Sequence, residues 1–292
     1  MSDLVLYAIP AFLALIALEW AWARRHAEAT GYGGVDTVTS LGLGLANVGV
    51  SAVIKLASLA WFAWLYQHRV VDVVAEFGAL AWLLLLVAED LCYYAFHRSH
   101  HEIRLLWAAH VNHHSSQRYN LSTALRQSVT TPITAPIFWS PLALIGFPPW
   151  MIFTAQAWSL LYQFWLHTEA IDRLGPLEWV LNTPSHHRVH HGKNPAYLDR
   201  NHGGIFIVWD RLFGTFAVED EPVRYGLTTD LTSQRPLTVA FHEFAAIGRD
   251  LARAPSLRAA LAYVFGPPGW SADGPSQTAR AIREAARAPR PD

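Results

Sequence analysis

Two histidine-rich stretches dominate the chemistry available to this chain. His97-Arg98-Ser99-His100-His101 is followed closely by His110-Val111-Asn112-His113-His114, and Ser185-His186-His187-Arg188-Val189-His190-His191 answers them much further along. A buried imidazole needs a partner for each ring nitrogen, so a folded chain does not gather this many without a use for them. On a helix, residues at i, i+3 and i+4 share a face. His97 with His101, His110 with His113 and His114, and His187 with His190 and His191 should each present imidazoles to one point. With His167 this makes nine candidate metal ligands, too many for one tetrahedral zinc with its four. Two metals fit better. The single cysteine, Cys92, reads as core, and no Cys-x-x-Cys pair exists, so the ligands are nitrogen or oxygen. Imidazole suits zinc, copper, iron and nickel alike. The chemistry that best uses so rich a nitrogen shell beside a membrane is a pair of irons with open positions, where dioxygen attacks a lipid C–H bond.

A metal-buffering loop or metal transporter is the competing reading, since His-rich tracts often do no more than bind metal. Fixed helical spacing after apolar spans argues for the enzyme. Asp90 stands seven residues before His97, two turns along one face, where its carboxylate is placed to accept a proton from a ligand's second ring nitrogen. Capping, or pairing with Arg98, is its ordinary alternative. Asn120, Ser122, Arg126 and Gln127 form a polar run suited to a lipid headgroup or cofactor. Trp107, Tyr119, Trp158, Tyr162, Phe164 and Trp165 have the chemistry to wall a chain tunnel or stack a cofactor, although packing against lipid is the commoner role of such rings.

The elements that must position these groups look membrane-embedded. The chain is 52% apolar and only 15% charged, against about 25% charged in soluble domains, and its net charge of -1 gives no reason to expect nucleic acid. Leu4 to Ala23 has the length of a span and ends in Trp20, Trp22 and Arg24-Arg25, an interfacial belt followed by positive charge. Asp3 near the start argues for a retained anchor over a cleaved signal peptide. Val38 to Tyr66, Val70 to Ala88, and the hairpin of Pro132 to Phe147 and Trp150 to Leu166 about Pro148-Pro149 follow. The expected fold is all-α: a transmembrane bundle of about five spans under a cytoplasmic helical cap that carries a histidine-rich di-metal site. One domain should cover 1–276, with the histidine core at 86–228 and a flexible tail at 277–292 containing Pro289 and Pro291.

His97-x3-His101, His110-x2-His113-His114 and His187-x2-His190-His191 together resemble the three histidine boxes of the membrane-bound di-iron fatty acid hydroxylase and sterol desaturase superfamily. The segments Tyr119 to Ser128, Tyr162 to Trp165, His167-Thr168-Glu169, Leu181 to Gly192, Trp209-Asp210 and Phe213 to Phe216 resemble its ether-lipid-cleaving monooxygenases, over roughly Asp90 to Thr228. The resemblance implies hydroxylation of the carbon beside an ether oxygen of a glycerolipid, with iron, dioxygen and tetrahydrobiopterin. It also implies that the nine histidines are ligands or near-ligands, and that Glu102 orients a ligand or the pterin. A hydroxylase or desaturase of sterols, carotenoids or acyl chains is the alternative within that superfamily. His100, His186 and His202 lie off the spaced sets and read as supporting residues, and His26, His68 and His242 as surface or interfacial. Asn201-His202 stands where relatives usually carry an Asn-Tyr pair. The partners so implied are a membrane lipid, the bilayer and a separate electron donor.

Overall fold

The computed structural model describes residues 4–26 and 29–288; Asp3, Pro289 and Pro291 lie outside them. The described residues form thirteen α-helices with two 3-10 turns and no strand beyond two isolated bridges. In chain order the helices are α1 (Leu4–Ala23), α2 (Gly34–Gln67), α3 (Val73–Phe77), α4 (Leu80–Glu102), α5 (Arg104–Ala108), α6 (Val111–His114) and α7 (Thr131–Ile145). They continue as α8 (Pro149–Phe164), α9 (Pro184–His190), α10 (Val208–Phe213), α11 (Pro236–Arg253), α12 (Leu257–Phe265) and α13 (Ala279–Arg287). The 3-10 turns are Thr123–Leu125 and Gly175–Trp179.

Among the described residues α2 and α4 are long and apolar enough to cross a membrane. Their 34 and 23 residues reach about 51 and 35 Å at 1.5 Å per residue, against a hydrocarbon layer of about 30 Å. Both show large apolar side chains outward, among them Leu45, Val53 and Leu56 on α2 and Leu83 and Val87 on α4. The expected span Val70 to Ala88 is divided. Gly78, at φ +52, ends α3, and a new helix then runs unbroken from Leu80 through the first histidines to Glu102. A helix long and apolar enough to cross a membrane and the first histidine pair are therefore one rigid rod.

The predicted hairpin forms between α7 and α8. Pro148 and Pro149 begin α8, where a missing N–H costs nothing, and Gly146 supplies the reversal at φ +131. The tip is tied to the α2–α3 loop by Val70 N–H to Leu144 O at 2.9 Å and Val71 N–H to Ile145 O at 3.2 Å. Phe62, Leu85, Trp139, Leu142, Met151 and Ile152 form the shared core of α2, α4, α7 and α8. α1 joins them by stacking Phe12 on Phe164 at 3.9 Å. Glu19 fastens its end, accepting from Leu121 N–H at 2.7 Å and from the hydroxyls of Tyr32 and Thr168.

Above the bundle, Arg104 at the start of α5 binds Glu243 and Asp250 of α11, each at 2.7 Å, clamping the C-terminal helices beside the histidine segment. The tail segment Ala279–Arg287 is helical, and its Arg283 donates to Leu198 O at 2.7 Å.

A Cβ at Gly146 would come within 1.8 Å of the Val71 carbonyl oxygen. Gly146→Ala is expected to cost about 2–3 kcal/mol, read as a lowered thermal unfolding midpoint of the detergent-solubilised protein, whereas Gly42→Ala, with open space around it, should unfold within a degree or two of the parent.

Candidate metal centre

Four elements deliver the nine histidines. α4 carries His97 and His101 one turn apart. Ile103, in extended conformation, ends that helix, and the chain folds back through α5 so that His110 precedes the single turn α6 with His113 and His114. His167 follows the end of α8. Pro184 starts α9, which supplies His187 and His190 and ends on His191.

The nine rings are buried and form two groups, each with its nitrogens within 4.8 Å of one another: His97, His101, His110, His114 and His190, and His113, His167, His187 and His191. This corrects the expectation that each box addresses one point. The i,i+4 pairs His97/His101, His110/His114 and His187/His191 stay together, while the i+3 members His113 and His190 cross to the other group. Helical geometry explains the division. Residue i+4 lies about 40° to one side of i and i+3 about 60° to the other, so an adjacent His-His pair diverges by about 100° and straddles two centres.

The nitrogens converge as ligands do. Nε2–Nε2 distances are 3.1 Å for His97–His110 and His110–His114, 3.2 Å for His113–His167 and 3.0 Å for His167–His187. His97 Nδ1 donates to His202 O at 2.9 Å, His167 Nδ1 to Gln163 O at 3.0 Å, and His190 Nδ1 to Arg200 O at 2.9 Å. Each of these bonds places the ring proton on Nδ1 and points the Nε2 lone pair inward. His101, His190 and His191 present buried Nε2 atoms with no hydrogen-bond partner. Burial pushes His110, His113, His114, His187, His190 and His191 well below the usual imidazole range and His167 to about 4. Neutral rings with opposed lone pairs repel unless a cation lies between them. For metal–nitrogen bonds of about 2.1 Å, neighbouring ligands of an octahedral ion stand about 3.0 Å apart, so the observed spacings fit two metal ions.

The remaining histidines are used differently. His100 bonds Phe96 O at 2.8 Å and Thr134 Oγ1 at 3.0 Å, facing away from both groups. His186 lies on the other side of α9, its Nε2 4.0 Å from Glu178 Oε2. His202 is fully buried beside the five-histidine group, its ring centroid 5.0 Å from that of His101 and both its nitrogens unpartnered.

Of the polar residues singled out in the sequence, none touches a ligand nitrogen in the manner expected. Asp90 binds neither a histidine ring nor Arg98; its carboxylate accepts from Ile205 N–H at 2.6 Å, Phe206 N–H at 3.0 Å and Trp209 Nε1 at 2.9 Å. It therefore anchors the loop whose His202 carbonyl orients His97. Gly204 permits the approach, because a Cβ there would lie 2.8 Å from Asp90 Oδ1. Arg126 is fully buried and holds the second box to α2, donating to Asn112 O at 2.9 Å, Ser115 Oγ at 3.1 Å and Asp36 Oδ1 at 3.4 Å. Asn120 ties its loop to the α1–α2 connection by donating to Gly31 O at 2.8 Å, and accepts from Ser122 Oγ at 2.6 Å. Glu102 is half-exposed at the outer end of α4 and pairs with Arg98 at 2.7 Å. Sequence reasoning gave no role to Asp210, which accepts from His202 N–H at 2.8 Å and Gly203 N–H at 2.7 Å; an acid within the mostly apolar stretch from Gly203 to Phe216 was the available signal. Asn201, at φ 56, is in the left-handed conformation that asparagine tolerates.

A cavity of about 540 Å³ lies between α1, α2, α4, α7 and α8, walled by residues such as Leu13, Leu45, Phe62 and Phe164. It ends on His110 of one group and His113, His167 and His187 of the other. A polar line runs along one wall. Glu89 Oε1 accepts from Trp139 Nε1 at 3.2 Å, and Gln163, whose carbonyl holds His167, donates to Ser159 Oγ at 2.9 Å. Of the six rings singled out, Phe164 lines this cavity, Trp107 lies 5.1 Å from His101, and Tyr119 lies 5.2 Å from His191. Trp158 faces outward, and Tyr162 donates to Asn182 O and meets Trp165 edge-on.

Residues 82–215 match the profile of the fatty acid hydroxylase family. The chain is 39% identical to human alkylglycerol monooxygenase over 275 residues, covering 94% of this chain and 61% of the relative, and 40% identical to the Danio rerio protein of the same name over 268 residues, covering 92% and 60%. It is 30% identical to the ornithine lipid hydroxylase OlsE of Rhizobium tropici over 210 residues, 71% of this chain and 63% of the relative. The chain thus spans about three-fifths of the length of these relatives. No solved structure matches it significantly.

The geometry fixes two expectations. Elemental analysis should give two metal ions per chain in the parent and in His100→Ala, and about one in His114→Ala. For metal-free protein, His110, His113, His114, His167, His187, His190 and His191 titrate below their unfolded value of about 6.5, so the unfolded chain binds more protons and stability rises with pH. The thermal midpoint of the metal-free protein should therefore fall steadily as pH is lowered from about 6.5 toward the value near 4 of His167.

Proposed function

We propose, from the match of residues 82–215 to the fatty acid hydroxylase family, that the chain is a member of that family and a membrane-bound di-iron monooxygenase acting on a long-chain ether lipid. The observation that carries this reading is the apolar cavity that ends on histidines of both groups. A metal buffer has no use for such a space; an enzyme that oxidises a lipid chain does. Iron bound by the nine histidines supplies activation of dioxygen for oxygen insertion into a C–H bond. The chain's own residues supply placement and dryness. α1, α2, α7 and α8 hold an alkyl chain against the histidines and exclude water. Hydroxylation of the carbon beside an ether oxygen gives a hemiacetal, which collapses to a fatty aldehyde and a glycerol derivative.

Asp90 and Arg126 are positioning residues, acting through the loop at 202–206 and through the second box. Asn120 keeps the neighbouring loop in shape. Glu102 stands at the outer rim of the histidine cluster, on the side from which tetrahydrobiopterin or another separate electron donor approaches. Five crossings are supported by the tie between the α7–α8 turn and the α2–α3 loop, which carries the hairpin across to the far surface and back. That path leaves the nine clustered histidines on one side, and the arginines flanking the clusters support reading that side as cytoplasmic. The likeness to a lipid hydroxylase favours one second reading, hydroxylation of a lipid without ether cleavage.

Iron-loaded protein in lipid nanodiscs, given an alkylglycerol, dioxygen and reduced tetrahydrobiopterin, should release fatty aldehyde. An intact hydroxylated lipid would select the second reading, and zinc-only occupancy without oxygen uptake would defeat both. Ala157 lines the cavity ten residues before His167, about 15 Å along a helix. Ala157→Phe should lower turnover of long alkyl chains at least tenfold and leave short chains within about twofold, read from aldehyde yield across a chain-length series.

A further inference from the structure

Outside the metal centre, two short elements expose an unusual amount of apolar surface. The 3-10 turn Gly175–Trp179 leaves Trp179 74% and Leu177 56% exposed, and α10 leaves Leu212 69% and Phe213 48% exposed. Scattered apolar residues are ordinary on a surface; a contiguous patch marks an interaction site. These are contiguous. Ile207 N–H donates to Val180 O at 2.9 Å, Leu181 bridges Phe206, and Arg211 reaches Glu178 O at 3.1 Å.

The position of the patch identifies its partner. On α4, Leu84, Val87 and Leu91 are exposed at helical spacing on one face, and Tyr94 continues that face one turn on. Phe213 stacks on Tyr94 at 5.3 Å, while Trp209 of the same helix binds Asp90. α10 thus takes up the outward apolar face of α4 where the span leaves the core. On the neighbouring side, Tyr162 of α8 holds Asn182 O at 2.7 Å, beside the outward Trp158 and Leu160. Arg211 lies flat on Phe216 at 3.8 Å, an apolar stem with a charged tip, as suits the headgroup layer.

We infer that the 175–180 turn and α10 form a membrane-seated apron, an interfacial surface whose partner is the lipid bilayer. The inference rests on the reading of α4 as a membrane span. It gives the histidine centre a second attachment to the bilayer, because the apron continues into the loop that carries the His202 carbonyl to His97. The apron seats that loop at the lipid surface, where a substrate leaves the membrane.

Nitroxide labels on single cysteines test this in a Cys92→Ser background, with the full chain reconstituted in phosphatidylcholine–phosphatidylglycerol vesicles and metal content matched to the parent. Labels at Leu177 and Leu212, like one at Leu84, should be relaxed by oxygen and should show several-fold lower access to a water-soluble nickel chelate than a label at Asp273. Nickel access at Leu177 and Leu212 equal to that at Asp273, with Leu84 still shielded, would overturn the apron and leave the span intact. Exclusion of both reagents from Leu177 and Leu212 would also overturn it, since a protein partner would then cover the patch. Nickel access at Leu84 would remove the span and the apron together.

Discussion

Opposed lone pairs are the constraint on which this structure depends. Six of the nine buried imidazoles point nitrogens at one another across 3.0–3.2 Å in four pairs, an arrangement that is repulsive between neutral rings and becomes favourable once a cation sits among them. Everything nearby holds the rings in that costly geometry. Backbone carbonyls of His202, Gln163 and Arg200 fix three Nδ1 protons, and these carbonyls come from the end of α8 and from the loop between α9 and α10. No single element could preserve the site alone.

The supporting layer is built from polar groups that touch backbone rather than metal ligands. Asp90 and Asp210 between them accept six hydrogen bonds, five from the 202–209 segment and one from Thr215. Arg126, without solvent exposure, ties the second box to the start of α2. Buried charges of this kind are costly unless fully bonded, and their bonds here converge on the segments that aim histidines. The arrangement braces the two histidine groups on a scaffold that is otherwise an apolar bundle.

That bundle contributes the other half of the chemistry. α4 is continuous from its outward apolar stretch to His101, so the distance of the site from that stretch is set by one rigid helix. The cavity between the same helices is walled mostly by apolar side chains and ends on the histidines. Dryness also keeps the histidines neutral, since burial is the largest cause of their lowered proton affinity. The apolar surroundings that shape the cavity therefore also favour the unprotonated form in which imidazole can bind a metal ion.

The sequence by itself determined the helical class, the nine histidines, the α7–α8 hairpin and the apolar character of the spans, because composition and helical period are local properties of the chain. It placed Asp90 on the face of His97, and both do address one loop; its partner was misread because the loop lies more than a hundred residues away. Only the tertiary structure decided which histidine joins which group, that His100 faces away, that Gly78 divides the third apolar stretch and that Arg126 serves the second box. Those outcomes depend on the angles at which distant segments meet and on which buried polar group finds which carbonyl. Local spacing fixes the direction of a side chain from its own helix, and the packing of four separate elements fixes what stands opposite it.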